Sequence, residues 1–170
     1  MTLSVQKKYY SNYLKNLISD KAVPGHFGVG AADMFFPIYY AAAPNERAPC
    51  AYNDEMTFSK DVNGNVFLSI DNKGESFLIG AATTVYGFSV GDGCYAVNTG
   101  GVRKLGFSDA ASASTPAIST QIQFEIPGNG ILNFVIGGKV YEILAINNTQ
   151  IQLRNIGSDG NSWYQILKAK

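Results

Sequence analysis

The sequence predicts an all-β protein, an antiparallel up-and-down β-barrel with a short N-terminal helix, and three observations carry that prediction. From residue 118 onward, five short segments alternate apolar and polar residues and are separated by tight-turn residues, the pattern of a meander. Two further segments, 52–58 and 66–70, repeat the alternation on either side of Asn63-Gly64. The chain also holds 18 Gly, 10 Tyr and 10 Phe with only 15% charged residues, the composition of a turn-rich β protein.

The elements follow in order. In "SVQKKYYSNYLKNLISDKA", residues 4–22, apolar side chains at Val5, Tyr9, Tyr10, Tyr13, Leu14 and Leu17 have the three-and-four spacing of an amphipathic helix, and Pro24-Gly25 stops it. "YNDEMTF" then sets Tyr52, Asp54, Met56 and Phe58 on one face, and "NVFLSID" does the same for Val66, Leu68 and Ile70. Asn63-Gly64 between them predicts a hairpin with a two-residue type I′ turn. Residues 87–117 are rich in Gly, Ser and Ala and read as mobile loops between short strands. The meander follows: "ISTQIQFEI", "ILNFVIG", "KVYEILAI", "TQIQLRNI" and "SWYQILKA". Residues 131–136 are expected to pair with 140–146, and 140–146 with 150–154. Such a sheet hides its edges by closing.

At 170 residues the chain is expected to be one domain, 1–170, able to bury a core without metal or disulfide staples. Thirteen basic residues balance thirteen acidic ones, so no field that would attract nucleic acid is expected. No stretch has the roughly 20 apolar residues of a membrane helix, and no export signal is present in the given chain. Cys50 and Cys94 either pair, a bridge worth about 4 kcal/mol on the chain-entropy model, or serve as small buried apolar groups.

Catalytic and metal motifs fail on spacing. Asp61, Asn63 and Asn65 imitate the start of a calcium loop, but the glycine stands at position four instead of six and position twelve is Asn72. Gly25, Gly28 and Gly30 lack the spacing and the strand-to-helix context of a dinucleotide site. One histidine, His26, and two cysteines make neither a hydrolase triad nor a zinc site. Asp54 and Glu55 are adjacent on a strand, so they point to opposite faces and cannot flank one glycosidic bond. Asp54 itself faces the predicted core, where it either accepts hydrogen bonds from the amides of "GHFGVG" or contacts a ligand. Phe35 and Phe36 are expected to plug a barrel end, Trp163 to lie in the core or at the rim, Met34 and Met56 to fill gaps, and Arg154 to be a solvated charge.

"PGHFGVG", the aromatic run before "AAAPNERA", "YNDEMTFS" and the ending "YEILAINNTQIQLRNIGSDGNSWYQILKA" resemble a lipocalin-like (calycin-type) domain of Bacteroidetes extracellular lipoproteins associated with polysaccharide utilisation. The resemblance spans residues 13–168 in outline. It implies a secreted, cell-surface or periplasmic barrel that binds carbohydrate without catalysis and needs no cofactor. The expected partners are a glycan ligand and neighbouring domains or surface glycan-uptake proteins, with no nucleic acid, and the chain is expected to be a monomer. The relatives carry Trp near Tyr13 or Leu14 and at Tyr39-Tyr40, whereas Trp163 is the only Trp here.

The expected ligand-binding residues are Tyr39, Tyr40, Asn45, Glu46, Asp92 and Trp163, with no catalytic or metal residue. Five of the six sit on or beside the two long connections, 31–47 and 86–103, which offer more to recognise than the tight turns. The alternatives are a structural or docking domain with a filled barrel, a glycoside hydrolase, and a binder of a small apolar ligand.

Overall fold

A computed structural model of the chain describes residues 16–89, 91–98, 101–128 and 130–170. In chain order the first strands are β1 (Leu17–Ser19), β2 (Phe27–Gly30), β3 (Tyr40–Ala41), β4 (Glu55–Lys60), β5 (Val66–Asp71), β6 (Ser76–Leu78) and β7 (Gly93–Tyr95). They are followed by β8 (Val102–Lys104), β9 (Gly106–Asp109), β10 (Ile122–Glu125), β11 (Val140–Ile146), β12 (Gln150–Ile156) and β13 (Ser162–Ala169). Among the described residues the one α-helix is a single turn, α1 (Gly80–Thr83).

Strands form where alternation gives one apolar face. Met56 and Phe58 on β4 stand opposite Ile70 and Leu68 on β5, and all four are buried. The hairpin between them is as expected, but its turn is not type I′, which would need a left-handed Asn63. Gly64 alone takes that conformation (φ 82°). Its N–H donates to the Asp61 carbonyl at 3.1 Å, and the Asp61 N–H to the Asn65 carbonyl at 3.0 Å, leaving a three-residue loop. The Asp61 carboxylate selects this form by accepting the backbone N–H groups of Asn63 and Asn65 and the Asn65 side-chain amide, at 2.7 to 2.9 Å.

The main sheet runs β8-β5-β4-β1-β13-β12-β11-β10-β9, every pairing antiparallel. β13 is paired with β1 over 167–169 and with β2 over 162–165. The two ends of that order, β8 and β9, are separated by Leu105 alone, whose N–H donates to Val66 on β5. The sheet is therefore nearly closed and barrel-like.

Two expectations fail. Residues 17–19 are not helical: Leu17 pairs with Ala169 on one side and Met56 on the other, and its side chain is fully buried. Closing the sheet between β13 and β4 requires a strand there, and burial of Leu17 overrides the helical spacing. Residues 16 and 20–22 are not helical either, and residues 4–15, including Val5, Tyr9, Tyr10, Tyr13 and Leu14, lie outside the described residues. Residues 131–136 do not join the meander either, since β11 pairs with β10 (Phe124 with Tyr141, Ile122 with Ile143) and, as expected, with β12. Every residue from 131 to 136 is buried, and Asn133 is left-handed (φ 53°), so the segment has neither a polar face nor a continuous extended backbone. Its Val135 makes an isolated parallel bridge to Leu78.

The core has two parts. Inside the barrel, Leu17, Met56, Phe58, Leu68, Phe124, Tyr141, Leu153 and Leu167 pack as one cluster, so side chains fill the interior. A second cluster closes one end around Phe134, whose ring lies 4.5 Å from Phe27, 5.0 Å from Phe77 and 5.6 Å from Trp163 between centroids. Trp163 thus lies in the core, one of the two places, core or rim, expected of it. The plug is Phe134 with 131–136; Phe35 and Phe36 lie elsewhere. Cys50 and Cys94 form a disulfide that ties the excursion carrying β6, α1 and β7 to the turn at Pro49–Ala51.

Candidate functional site

The glycine-rich stretch turns out to be β2, and its glycines let the following chain fold flat against it. A Cβ on Gly28 would stand 2.5 Å from the Pro37 Cβ, and one on Gly30 would stand 3.0 Å from the Phe36 carbonyl oxygen. The strap 31–39 therefore lies along the outside of the barrel and returns as β3, with the Tyr39 N–H donating to Val29 at 3.0 Å.

The barrel wall seizes the strap by its carbonyls. Arg154 donates from Nε to Met34 O at 2.8 Å and from Nη2 to Ala32 O. Ser162 Oγ donates to Ala32 O at 3.1 Å and Tyr164 Oη to Met34 O at 2.7 Å. The Arg154 guanidinium also lies 4.6 Å from the centre of the Phe35 ring. Held in this way, the strap turns Phe36 (60% exposed), Ile38 and Tyr39 (63% exposed) into solvent. Phe36 is thus a surface ring rather than a plug, because β2 and the barrel wall leave the strap no path into the end cluster.

Arg154 is not the solvated charge expected from its strand. It does face away from Ile151 and Leu153, but that outer face is covered. Gln123, Glu142, Arg154 and Tyr164 are register partners across β10 to β13, and Arg154 and Glu142 are both buried. Arg154 Nη1 donates to Glu142 Oε2 at 3.2 Å. Ser112 Oγ donates to the same oxygen at 2.8 Å, and Ser119 Oγ to Oε1 at 2.6 Å. Gln123 Oε1 accepts the Ala111 N–H at 3.1 Å. Between the strap and residues 111–113 runs an open groove of about 610 Å3, floored by Gln123, Glu142, Arg154 and Asn155, with Asp33 and Lys139 lining it too.

The six expected site residues are only partly brought together. Tyr39 is exposed next to Phe36 on the strap. Tyr40 Oη donates to Glu46 Oε1 at 2.6 Å, and the Ala43 N–H to Glu46 Oε2 at 2.6 Å. Burial, then the bond to Glu46, pushes the Tyr40 phenol up to about 12, and the same bond holds Glu46 below the usual carboxylate range. Asn45 supplies the left-handed residue of that turn (φ 58°). The Arg47 guanidinium spans Tyr40 at 4.7 Å and Phe77 at 5.8 Å, joining this turn to the disulfide-tied excursion. Asp92 accepts the Gly80 N–H at 2.6 Å at the start of α1. Trp163 is buried in the end cluster, its Nε1 shared by the two Asp159 oxygens at 3.1 Å. Phe36, Arg154 and Glu142 were missed, although the outward parity of Arg154 was a usable signal.

His26 and Asp54 are buried titratable groups outside this face. His26 donates from Nδ1 to Val23 O at 2.8 Å, and the Tyr52 hydroxyl, which accepts the Arg47 N–H at 2.8 Å, reaches His26 Nε2 at 2.9 Å. The arrangement suits a neutral imidazole, and burial lowers the His26 pKa. Asp54 points inward as expected, but its partner is not the glycine loop, which is bonded into the sheet as β2. Ser76 Oγ donates to Oδ2 at 3.3 Å, Oδ1 has no partner, and burial pushes the carboxyl up to about 8.

Among the described residues, the one group of candidate metal ligands, Cys50, Glu75 and Cys94, has both sulfurs in the disulfide. Among the described residues, no helix is long and apolar enough to cross a membrane. No family model matches the chain, and no curated protein matches it.

Proposed function

We propose that the protein is a non-catalytic carbohydrate-binding module of an extracellular polysaccharide-utilisation system, built on a lipocalin-like up-and-down barrel. The topology follows if β1 and β2 count as one interrupted strand and β8-Leu105-β9 as one bent strand. With β3, β6 and β7 set aside as additions outside that path, each of the eight resulting strands neighbours the next in chain order, and the last neighbours the first. The cystine supports an oxidising location.

The observation that carries the binding reading is the pair of exposed rings, Phe36 and Tyr39, on a strap anchored to the barrel wall. An aromatic face is the surface on which the apolar side of a pyranose stacks. A platform ordered before binding avoids the entropy of ordering it afterwards. With the barrel interior filled, ligand is received on the outside. The Tyr40-Glu46-Arg47 turn buttresses the end of the strap, and Glu142 already accepts hydrogen bonds from three donors. The same filled interior favours a second reading, a docking domain whose exposed strap meets another protein.

Affinity electrophoresis in polysaccharide gels separates the two. The wild-type protein should be retarded, and the Phe36→Ala, Tyr39→Ala double variant should run freely while its melting temperature stays within about 2 °C of the parent's, as expected for surface changes within roughly 0.5 kcal/mol. Equal retardation of parent and variant would reject the strap as the site.

A further inference from the structure

The groove beside the strap has walls that are each tied to one member of the same buried ion pair. Arg154 holds the strap through the carbonyls of Ala32 and Met34 and through the Phe35 ring. Glu142 holds the opposite wall through Ser112 and Ser119, and Gln123 adds the Ala111 amide. The bond between Arg154 and Glu142 therefore sets the width of the groove. A pair buried this deeply is costly to open, because either charge left alone would lack solvation.

Its charges also cancel. On the floor Arg154 is matched by Glu142, and Lys139 and Asp33 carry opposite signs. The Lys139 ammonium already donates to the Gly128 carbonyl. Recognition of a carboxylated or sulfated sugar is favoured by an excess of positive charge, and the lining, with two cations and two carboxylates, has none. It does offer hydrogen-bonding groups that suit hydroxyls: the exposed Asp33 carboxylate, the Ser112 hydroxyl and the Lys139 ammonium, against apolar walls of Ala32, Phe35 and Ala113. Its volume lies within the roughly 300–1,000 Å3 of small-molecule sites.

We infer that this groove is a second subsite for an uncharged sugar unit, bordered by the same strap that carries the exposed rings, and that the Arg154–Glu142 pair positions its walls without being its main contact. The inference rests on the carbohydrate reading above and adds a place and a ligand class to it.

Three proteins decide it: the wild type, the Phe36→Ala, Tyr39→Ala double variant, and Ala113→Trp, which fills the groove from an exposed loop position while leaving the barrel core and the strap rings as they are. Each is run in gels of neutral xyloglucan, galactomannan or hydroxyethyl cellulose and of acidic polygalacturonate or alginate, with circular dichroism to verify folding. The expected result is retardation of the wild type by at least one neutral polymer and by neither acidic one, with affinity at least tenfold weaker for Ala113→Trp. Wild-type-like binding by Ala113→Trp, with loss only in the ring variant, would overturn the subsite and leave the carbohydrate reading standing. Retardation by the acidic gels alone would overturn the ligand class. A wild type that no gel retards would end both. Should Ala113→Trp misfold, Val140→Trp, from the exposed start of β11, fills the same groove and is read by the same criteria.

Discussion

Two buried carboxylates in this protein are treated in opposite ways. Glu142, on the outer wall, receives three donors within 3.2 Å, one of them a guanidinium, and joins two surface segments to the sheet. Asp54, just before β4, receives one long bond from Ser76 and leaves Oδ1 unpaired. The first has two hydroxyls and a guanidinium gathered around it. The second is pushed toward its neutral acid form by burial. Burial alone therefore does not say what an acidic residue does; the donors around it decide whether it organises structure or makes stability depend on pH.

The largest effect should come from breaking the satisfied site. Glu142→Ala leaves Arg154 buried without its anion, and denaturant unfolding should show a loss of about 3–5 kcal/mol. The double variant Arg154→Met, Glu142→Leu should lose less than Glu142→Ala alone, since no lone charge remains. A double variant as unstable as the sum of its singles would show that the two residues do not act as a pair.

Next in size is the link that carries the partner of Asp54. Ser76 begins the excursion held by Cys50–Cys94, whose cysteines are 44 residues apart in the chain. Replacing both cysteines by serine should lower stability by about 2–4 kcal/mol. It should also raise amide hydrogen exchange over 76–95 more than over β11 to β13. Uniform exchange across the molecule would contradict a local tether.

The smallest effect, and the sharpest in pH, belongs to Asp54. Its folded pKa of about 8 lies above the ordinary 3.8, so its contribution to stability is fully present below pH 3.8 and is lost as pH rises toward 8. The loss has a slope of at most about 1.4 kcal/mol per pH unit. Asp54→Asn removes that slope while keeping the shape. Between pH 5 and 7 the stability of the variant relative to the parent should therefore rise by about 1–3 kcal/mol. Since the His26 contribution, which is present above pH 6.5 and falls away on acidification, is common to both proteins, it cancels in the difference. Parallel pH profiles would show that Asp54 is ionised in the folded protein.

Much of the sheet was legible because period-two alternation is a local signal. It located β4, β5, β10, β11, β12 and β13, and it placed Asp54 inward and Arg154 outward. It failed where a segment has no solvent face: residues 131–136 are as apolar as a strand but pass through the end of the barrel. It failed again at Leu17, whose helical spacing yields to the two strands on either side of it. The candidate site was half legible. Aromatic residues in a long connection drew attention to Tyr39, but nothing local distinguishes exposed Phe36 from a plug, or Tyr39 from Tyr40, whose ring lies under Arg47.

What the sequence determined by itself, then, is the antiparallel sheet, the hairpin between β4 and β5 and the outward parity of Arg154, because these depend on neighbours two to four residues apart. Only the tertiary structure decided that Arg154, 120 residues from Met34, would clasp the strap, that Cys50 would meet Cys94, and that Asp54 would find Ser76 rather than the glycine loop. A side chain's direction is set by its own backbone, whereas the groups that cover it arrive from wherever the closed sheet brings the chain.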